Sequence, residues 1–254
     1  MERLTVLKVG GAVVEDPEAL DAFLDVFAVL PGLKVLVHGG GRAATKVAAQ
    51  LGVPTRMVEG RRITDADMLR VVTMVYGGLV NKGVVAALQT RGVNALGLTG
   101  ADLGCMRAVK RPVKDIDYGF VGDMESVDTS ILADLVARGV VPVMAPLSFD
   151  GKGSLLNTNA DTIASSVAKA LAERFQMTLV YCFEKPGVLS DPDDDGSVIP
   201  LITKDSFAAL VADGTVAGGM IPKLQNAIDA LEGGVSEVRI TKADAPEGGT
   251  RIVL

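Results

Sequence analysis

Val35-Leu36-Val37-His38-Gly39-Gly40-Gly41-Arg42, followed by the helical pattern of residues 43–51, is the stretch that most constrains the fold. A run of apolar, largely β-branched residues feeds three glycines and then a helix. That order leaves bare backbone N–H groups at the carboxyl end of a strand, where only glycine lets an anion approach so closely. It is a phosphate-binding design. No G-x-x-x-x-G-K-[ST] occurs in the chain, and Gly39-Gly40-Gly41 does not fit G-x-G-x-x-G, so a different phosphate chemistry is required.

The rest of the chain repeats the same strand, turn and helix grammar. A strand pattern from Leu4 to Val9 ends in Lys8-Val9-Gly10-Gly11. Pro17 then opens an amphipathic helix to Leu30, with Leu20, Phe23, Leu24, Phe27 and Leu30 at spacings of three and four. Pro31-Gly32 stops it, and the strand at 33–37 with its helix completes a β-α-β-α start, which predicts parallel strands joined by right-handed crossovers. The expected fold class is α/β: a mainly parallel open sheet sandwiched between helices, in two lobes.

Residues 55–64 alternate about Gly60, which predicts a small basic hairpin placed to lie over a bound acid. Asp65 caps a helix running to about Arg91, with a kink or a break expected at Gly77-Gly78. Strand patterns at 105–109 and 120–127 read as an antiparallel excursion, and further strands are expected at 95–98, 140–145, 178–183, 235–241 and 250–253. Leu155 to Asp161 opens a helix over 162–172, and Pro222 places Lys223 at the amino terminus of another, ending near Glu232. The division falls near Ala172, giving an amino-acid-binding lobe of residues 1–172 and a nucleotide-binding lobe of residues 173–254.

Composition bounds what such a sheet can serve. With 254 residues, 48% of them hydrophobic, and a mean hydropathy of +0.36, the chain can bury a large core. A net charge of -6 and a pI near 4.9 argue against nucleic acid or an anionic membrane as partner. Cys105 and Cys182 make neither a metal spacing nor a disulfide framework and read as small buried hydrophobes. Residues 1–7 lack a basic-then-apolar leader and no apolar run reaches membrane length, so a cytoplasmic protein is expected. His38 is the only histidine, which removes poly-histidine metal sites and confines any Ser-His-Asp triad to that one residue.

Each polar cluster also has a structural reading. Lys8 could simply reach solvent, and His38 fits a hydrogen-bonded residue ordering the turn better than a base. Asn157, Asn159 and Asp161 are good capping residues, Arg61 and Arg62 suit a solvated hairpin face, and Asp193 to Asp195 suit a solvated loop. Joint placement changes the odds. The strand-end lysine, both glycine turns, the Asn/Asp helix start and the helix-start lysine belong at one edge of a parallel sheet, and such sheets bind ligands outside the carboxyl ends of their strands.

Lys8-Val9-Gly10-Gly11, His38-Gly39-Gly40-Gly41, Gly60-Arg61-Arg62-Ile63-Thr64, Leu98-Thr99-Gly100, Gly119-Phe120-Val121-Gly122, Asn157-Thr158-Asn159-Ala160-Asp161 and Gly218-Gly219-Met220-Ile221-Pro222-Lys223 cover nearly the whole chain. Together they resemble the amino-acid kinase family. The resemblance implies transfer of the ATP γ-phosphoryl group to the side-chain carboxylate of an N-acylated glutamate, giving an acyl phosphate on the route to arginine. A glutamate carboxylate, with a reference pKa of about 4.3, is ionised at neutral pH, so no general base is needed. The barrier is charge repulsion and alignment.

By the same resemblance, Lys8 neutralises the transferring phosphoryl group, Lys223 acts from the nucleotide side and Asp161 holds both ammonium groups. Backbone N–H groups of Gly10 and Gly11, and of Gly40 and Gly41, take phosphoryl and substrate-carboxylate oxygens. Arg62 and Asn157 fix the α-carboxylate. Glu184, Lys185, Gly187, Val188 and Leu189, with Thr215, Gly218, Gly219 and Met220, surround ATP. Mg²⁺ rides mainly on the phosphates and water, with no protein ligand implied.

Phe183-Glu184-Lys185 departs from the family's frequent Thr-Asp-Val before Pro-Gly, and the link over residues 173–178 is a few residues longer than usual. The N-acyl group stays open, because Arg61 or Lys82 could serve a further carboxylate if the acceptor were N-succinylglutamate. Related kinases of carbamate, aspartate or a carrier-linked aminoadipate are the neighbouring alternatives, and a non-catalytic nucleotide-binding regulator would be expected to lose Lys8, Asp161 or Lys223. In arginine-inhibited relatives an extra amino-terminal helix interlaces dimers into a hexamer. Here the first strand starts at about Leu4, so a homodimer paired near Met68 to Val80, insensitive to arginine, is expected.

Overall fold

The computed structural model describes residues 1–218 and 220–254, with Pro222 by its backbone alone. The strands are β1 (Arg3–Val9), β2 (Leu33–His38), β3 (Met57–Val58), β4 (Arg61–Arg62), β5 (Ala95–Leu98), β6 (Met106–Lys110) and β7 (Gly122–Val127). They continue with β8 (Val141–Met144), β9 (Leu147–Phe149), β10 (Leu155–Asn157), β11 (Gln176–Phe183), β12 (Leu201–Thr203), β13 (Glu237–Lys242) and β14 (Thr250–Val253). The main sheet runs β12-β14-β13-β11-β1-β2-β8-β5. All its pairings are parallel except β13 with β14. The expected α/β fold, a mainly parallel sheet between helices, is what the chain adopts.

The two-residue period of β1 explains why both faces are covered. Leu4 and Val6 enter one core, with Ile163, Leu171 and Leu224, while Leu7 and Val9 enter the other, with Phe23, Leu24 and Leu88. All four β1 side chains are fully buried, as a parallel strand between two helical layers requires. Asp16 caps the Pro17–Val29 helix through the N–H groups of Glu18 and Ala19. Its carboxyl end is closed by a buried lysine: Lys34 Nζ donates to Phe27 O, Ala28 O and Leu30 O at 2.7, 2.9 and 2.8 Å.

Four expectations need correction. Residues 66–89 form one uninterrupted helical rod, not a kinked or broken pair; the Gly77-Gly78 pair lies inside a π-helical stretch, Thr73–Val80, which absorbs the irregularity as one wide turn. That rod, Ala66–Gln89, is 24 residues long with a mean hydropathy of 1.5 in its most apolar stretch, so a membrane-length apolar element does occur. Its apolar residues include Met68, Val71, Val75, Val84 and Leu88, which are buried against the sheet. The antiparallel excursion is a separate four-stranded sheet, β10-β9-β6-β7, and residues 155–157 are a strand within it, not the lead-in of a helix. A five-residue helix, Gly11–Glu15, follows directly on β1, where the sequence pattern suggested only a turn. The β3–β4 hairpin forms as read.

Candidate functional site

The main sheet puts the ends of β1, β2, β8 and β11 at one edge, and two glycine turns leave it side by side. Gly39 N–H donates to Val9 O at 3.0 Å. A Cβ on Gly39 would stand 2.8 Å from Gly11 N, and one on Gly11 would stand 3.4 Å from Gly40 N. The turns therefore touch only because neither carries a side chain. Gly11 and Gly41 each begin a helix, Gly11–Glu15 and Gly41–Gln50, so their N–H groups have no intrahelical acceptor and face outward. Gly10 is a correction: its N–H donates to Cys182 O at 3.2 Å, which spends it on the neighbouring strand. Glu15 Oε1 takes the Ala43 N–H in the first turn of the helix that Gly41 begins.

His38 lies beneath the second turn with no exposure. Its Nδ1 is 2.7 Å from Gly39 O, and its Nε2 is 3.1 Å from Asn81 Nδ2. A carbonyl only accepts and an amide nitrogen only donates, so Nδ1 carries the proton and Nε2 is bare. Burial pulls the imidazole down to about 4, with the Gly39 bond opposing and Lys82 adding to the fall. It is a neutral residue that orders the turn. Asn81 also donates to Val143 O at 2.9 Å, tying the long helix to β8. Asn81 Oδ1 has no hydrogen-bond partner among the described residues and lies against Gly97, where a Cβ would come within 1.9 Å of it.

Beside the turns is a cavity of about 200 Å³, bounded by Gly40, Gly41, Arg62, Tyr76 and Asn157. Arg62 reaches it from β4 and is 8% exposed. Its Nη2 donates to Gly41 O at 2.7 Å and to Thr45 Oγ1 at 2.9 Å, and its Nη1 donates to Thr55 Oγ1 at 3.3 Å. Asn157 Nδ2 donates to Thr64 Oγ1 at 2.9 Å. Arg61 also lines the cavity, half-buried and without a salt bridge among the described residues. Lys82 does not reach it; its Nζ donates to Gly97 O at 2.9 Å.

A second cleft, about 350 Å³, opens between the first glycine turn and the Met220–Glu232 helix. Lys8, Gly11, Gly41, Asp161, Glu184 and Lys223 border it. Lys8 Nζ is 2.7 Å from Asp161 Oδ1, an ion pair between two largely buried side chains. Asn159 takes the capping role, its Oδ1 accepting from Asp161 N and Thr162 N, which frees the Asp161 carboxylate for the cleft. Burial holds the Lys223 ammonium below its usual range, with Asp161 opposing that shift and Lys8 adding to it.

The nucleotide-side residues are looser. Glu184 Oε1 is 3.8 Å from Arg42 Nη2, both largely exposed. Lys185 Nζ is 2.8 Å from Asp195 Oδ1 on the acidic tip. Val188 has its side chain in the core, its N–H donates to Thr250 Oγ1 and its carbonyl accepts from Ile199 N. Gly187 packs on Thr250, and Leu189 bridges Val198. Thr215 and Gly218 precede the Met220–Glu232 helix, and Gly219 lies outside the described residues. Among the described residues no three His, Cys, Asp or Glu side chains gather to hold a metal. Both cysteines are buried, their thiols pushed up to about 12 by burial. Tyr76 and Phe183 were not anticipated; Tyr76 belongs to the apolar face of a helix and Phe183 to a strand end, patterns that signal packing before chemistry.

Known proteins resemble the chain over this whole framework. An acetylglutamate kinase from Bacteroides thetaiotaomicron is 65% identical over 253 residues, covering 99% of this chain and 98% of that protein. The crystal structure of smu.665 from Streptococcus mutans UA159 superposes with a TM-score of 0.79 at 27% identity, covering 98% of each chain. Carbamate kinase from Giardia lamblia, bound to AMP-PNP, superposes at 0.68 with 15% identity, over 99% of this chain and 98% of that one, a likeness of fold. The pattern of the amino acid kinase family matches residues 3–242, and the chain belongs to that family.

Proposed function

We propose that the chain uses ATP to phosphorylate the side-chain carboxylate of N-acetyl-L-glutamate, giving an acyl phosphate in arginine biosynthesis. The observation that carries this is the adjacency of two cavities. One holds Arg62 and Asn157 for an α-carboxylate; the other holds Lys8, Asp161 and Lys223 for a phosphoryl group, and the paired glycine turns lie between them. The acetylglutamate kinase at 65% identity supports the same acceptor.

The acceptor carboxylate attacks without a base. Gly11, Gly40 and Gly41 N–H groups and the two ammonium groups offset the charge that gathers between nucleophile and phosphoryl group, and Asp161 keeps the ammonium groups in register. Glu184, Lys185, Gly187 and Leu189, with Thr215, Gly218, Gly219 and Met220, line the ATP side. Residues 1–172 form the amino-acid lobe and 173–254 the nucleotide lobe. Mg²⁺ would shield the ATP phosphates; Asp161 is engaged with Lys8, which fits a metal carried by phosphates and water. The exposed Met74 and Leu79 suit a homodimer paired through residues 68–80, in the cytoplasm, without nucleic acid or membrane partners.

Hydroxylamine added during turnover tests the chemistry. A hydroxamate should form in step with ADP; ADP at full rate with no hydroxamate would remove the carboxylate as nucleophile. One observation favours a second reading, N-succinyl-L-glutamate. Arg61 stands half-buried at the acceptor cavity with no carboxylate in salt-bridge range among the described residues, and burial and then Arg111 hold it below its usual pKa against the opposing charges of Asp123 and Glu59. ADP release measured side by side with N-acetylglutamate, N-succinylglutamate, aspartate and carbamate decides between them.

A further inference from the structure

The cleft holds two ammonium groups; among the described residues Asp161 is the one carboxylate within salt-bridge distance of Lys8, and Glu184, which also borders the cleft, pairs with Arg42 at 3.8 Å. Beside Asp161 and Glu184, whose charge favours the Lys223 ammonium, stands an aromatic face. Lys223 Nζ is 3.9 Å and Lys8 Nζ is 4.8 Å from the centroid of the Phe183 ring. Ring faces carry negative quadrupolar potential, and the attraction is strongest where the cation has shed water. The ring is itself fixed. It ends β11, stacks on the buried Tyr181 ring at 6.3 Å and 20°, and lies beside Gly10, where an added Cβ would come within 3.9 Å of Phe183 Cδ1.

We infer that Phe183 is a positioning residue for the phosphoryl transfer proposed above: its ring holds the Lys8 and Lys223 ammonium groups in the cleft before ATP arrives. The inference rests on that functional reading for its kinetic consequence, but not for its electrostatic one. The charged groups facing Lys223 are Lys8 from β1, Asp161 from the Ala160–Leu171 helix, Glu184 after β11 and, at the rim, Arg42 from the Gly41–Gln50 helix. Asp161 and Glu184 favour the ammonium form, whereas Lys8 and burial oppose it. Loss of the ring removes one support from the charged form.

Phe183→Leu and Phe183→Met keep an apolar side chain without a ring face, and Phe183→Tyr keeps the face. In the free protein, the pH midpoint for acylation of Lys223, read by mass spectrometry, should fall by about half a unit in the Leu and Met variants and stay at the parent value in Tyr. In the same variants kcat should fall about three- to tenfold while acceptor KM moves less than twofold, and Tyr should restore the rate. A parent-like midpoint in Leu and Met, a parent-like kcat in them, or a Tyr variant failing as they do would overturn the inference. A parent protein inactive with every acceptor would overturn the functional reading instead, and the acylation midpoint would then decide the electrostatic hold by itself.

Discussion

The side of this site that we assign to the acceptor and the side that we assign to the nucleotide are built to different standards of order. Arg62 is 8% exposed and already gives three hydrogen bonds to oxygen, on a helix terminus, a threonine of that helix and the hairpin approach. His38 and Asn81 lock the turn beneath it without exposure to water. Across the cleft, Glu184, Arg42, Lys185 and Asp195 are all more than half exposed and meet in pairs that solvent screens. On the proposed function, the small acid meets a prepared pocket, while ATP organises much of its own surroundings. A small ligand offers little surface to repay ordering, whereas a polyphosphate brings charge enough to do so.

Lys8 and Lys223 stand where the two sides join, and substitution there should have the largest effect. Lys8→Ala and Lys223→Ala should each lower kcat by about 100- to 1,000-fold while changing substrate affinity much less, because the proposed mechanism has both act on charge that builds in the transition state. Steady-state kinetics on both substrates measures this. A loss carried by KM alone would mean that these groups only bind.

The next effect sharpens the difference in burial. His38 is drawn from 6.5 down to about 4 in the folded chain. Between those values the unfolded chain binds a proton that the folded one refuses, so stability is complete above pH 6.5 and declines as the pH falls toward 4. The expected loss between pH 7 and pH 5 is about 2 kcal/mol in urea unfolding. With one histidine in the chain, its imidazole resonance reports the native titration without ambiguity. A native midpoint near 6.5 would show that the turn is wetter than its packing requires.

Arg62→Ala should come third. It should raise acceptor KM by at least about tenfold and leave kcat less affected, since the proposed function assigns Arg62 to the ground-state α-carboxylate. Titration of acceptor at saturating ATP separates the two, and an unchanged KM would take Arg62 out of the site.

Features that depend on residues near in sequence were legible; those that depend on which strand comes alongside were not. Strand, glycine turn and helix start are local, so Lys8, Gly40, Gly41 and Asp161 could be placed at one edge before any coordinates. Gly10 looked equivalent to Gly11, and only the pairing of β1 with β11 reveals that its N–H is consumed by Cys182. Val188 sits in a loop motif but takes its partners from Thr250 and Ile199, one of them far along the chain. The Gly77-Gly78 pair has the propensity of a break, yet the helix is held by Asn81 bonding to Val143 and by its buried apolar face, and tertiary contacts outweigh propensity there. Phe183 was visible only as a departure from a family pattern; its relation to two lysines from β1 and a distant helix needed the fold.

The smallest expected effect is also the one that most directly probes the looser side. Lys185 has its pKa raised first by its hydrogen bond to Asp195, but both partners are more than half exposed, and such pairs contribute little to stability. If the ATP side is organised chiefly by the nucleotide, removing Lys185 before ATP binds costs almost nothing, and what remains is one screened charge near the ligand. Lys185→Ala should therefore leave the urea midpoint unchanged and raise ATP KM by no more than about threefold, with that rise vanishing at high salt. A rise of tenfold or more that persists in salt would place Lys185 on a phosphate in a desolvated setting, and the nucleotide side would then be as prepared as the acceptor side.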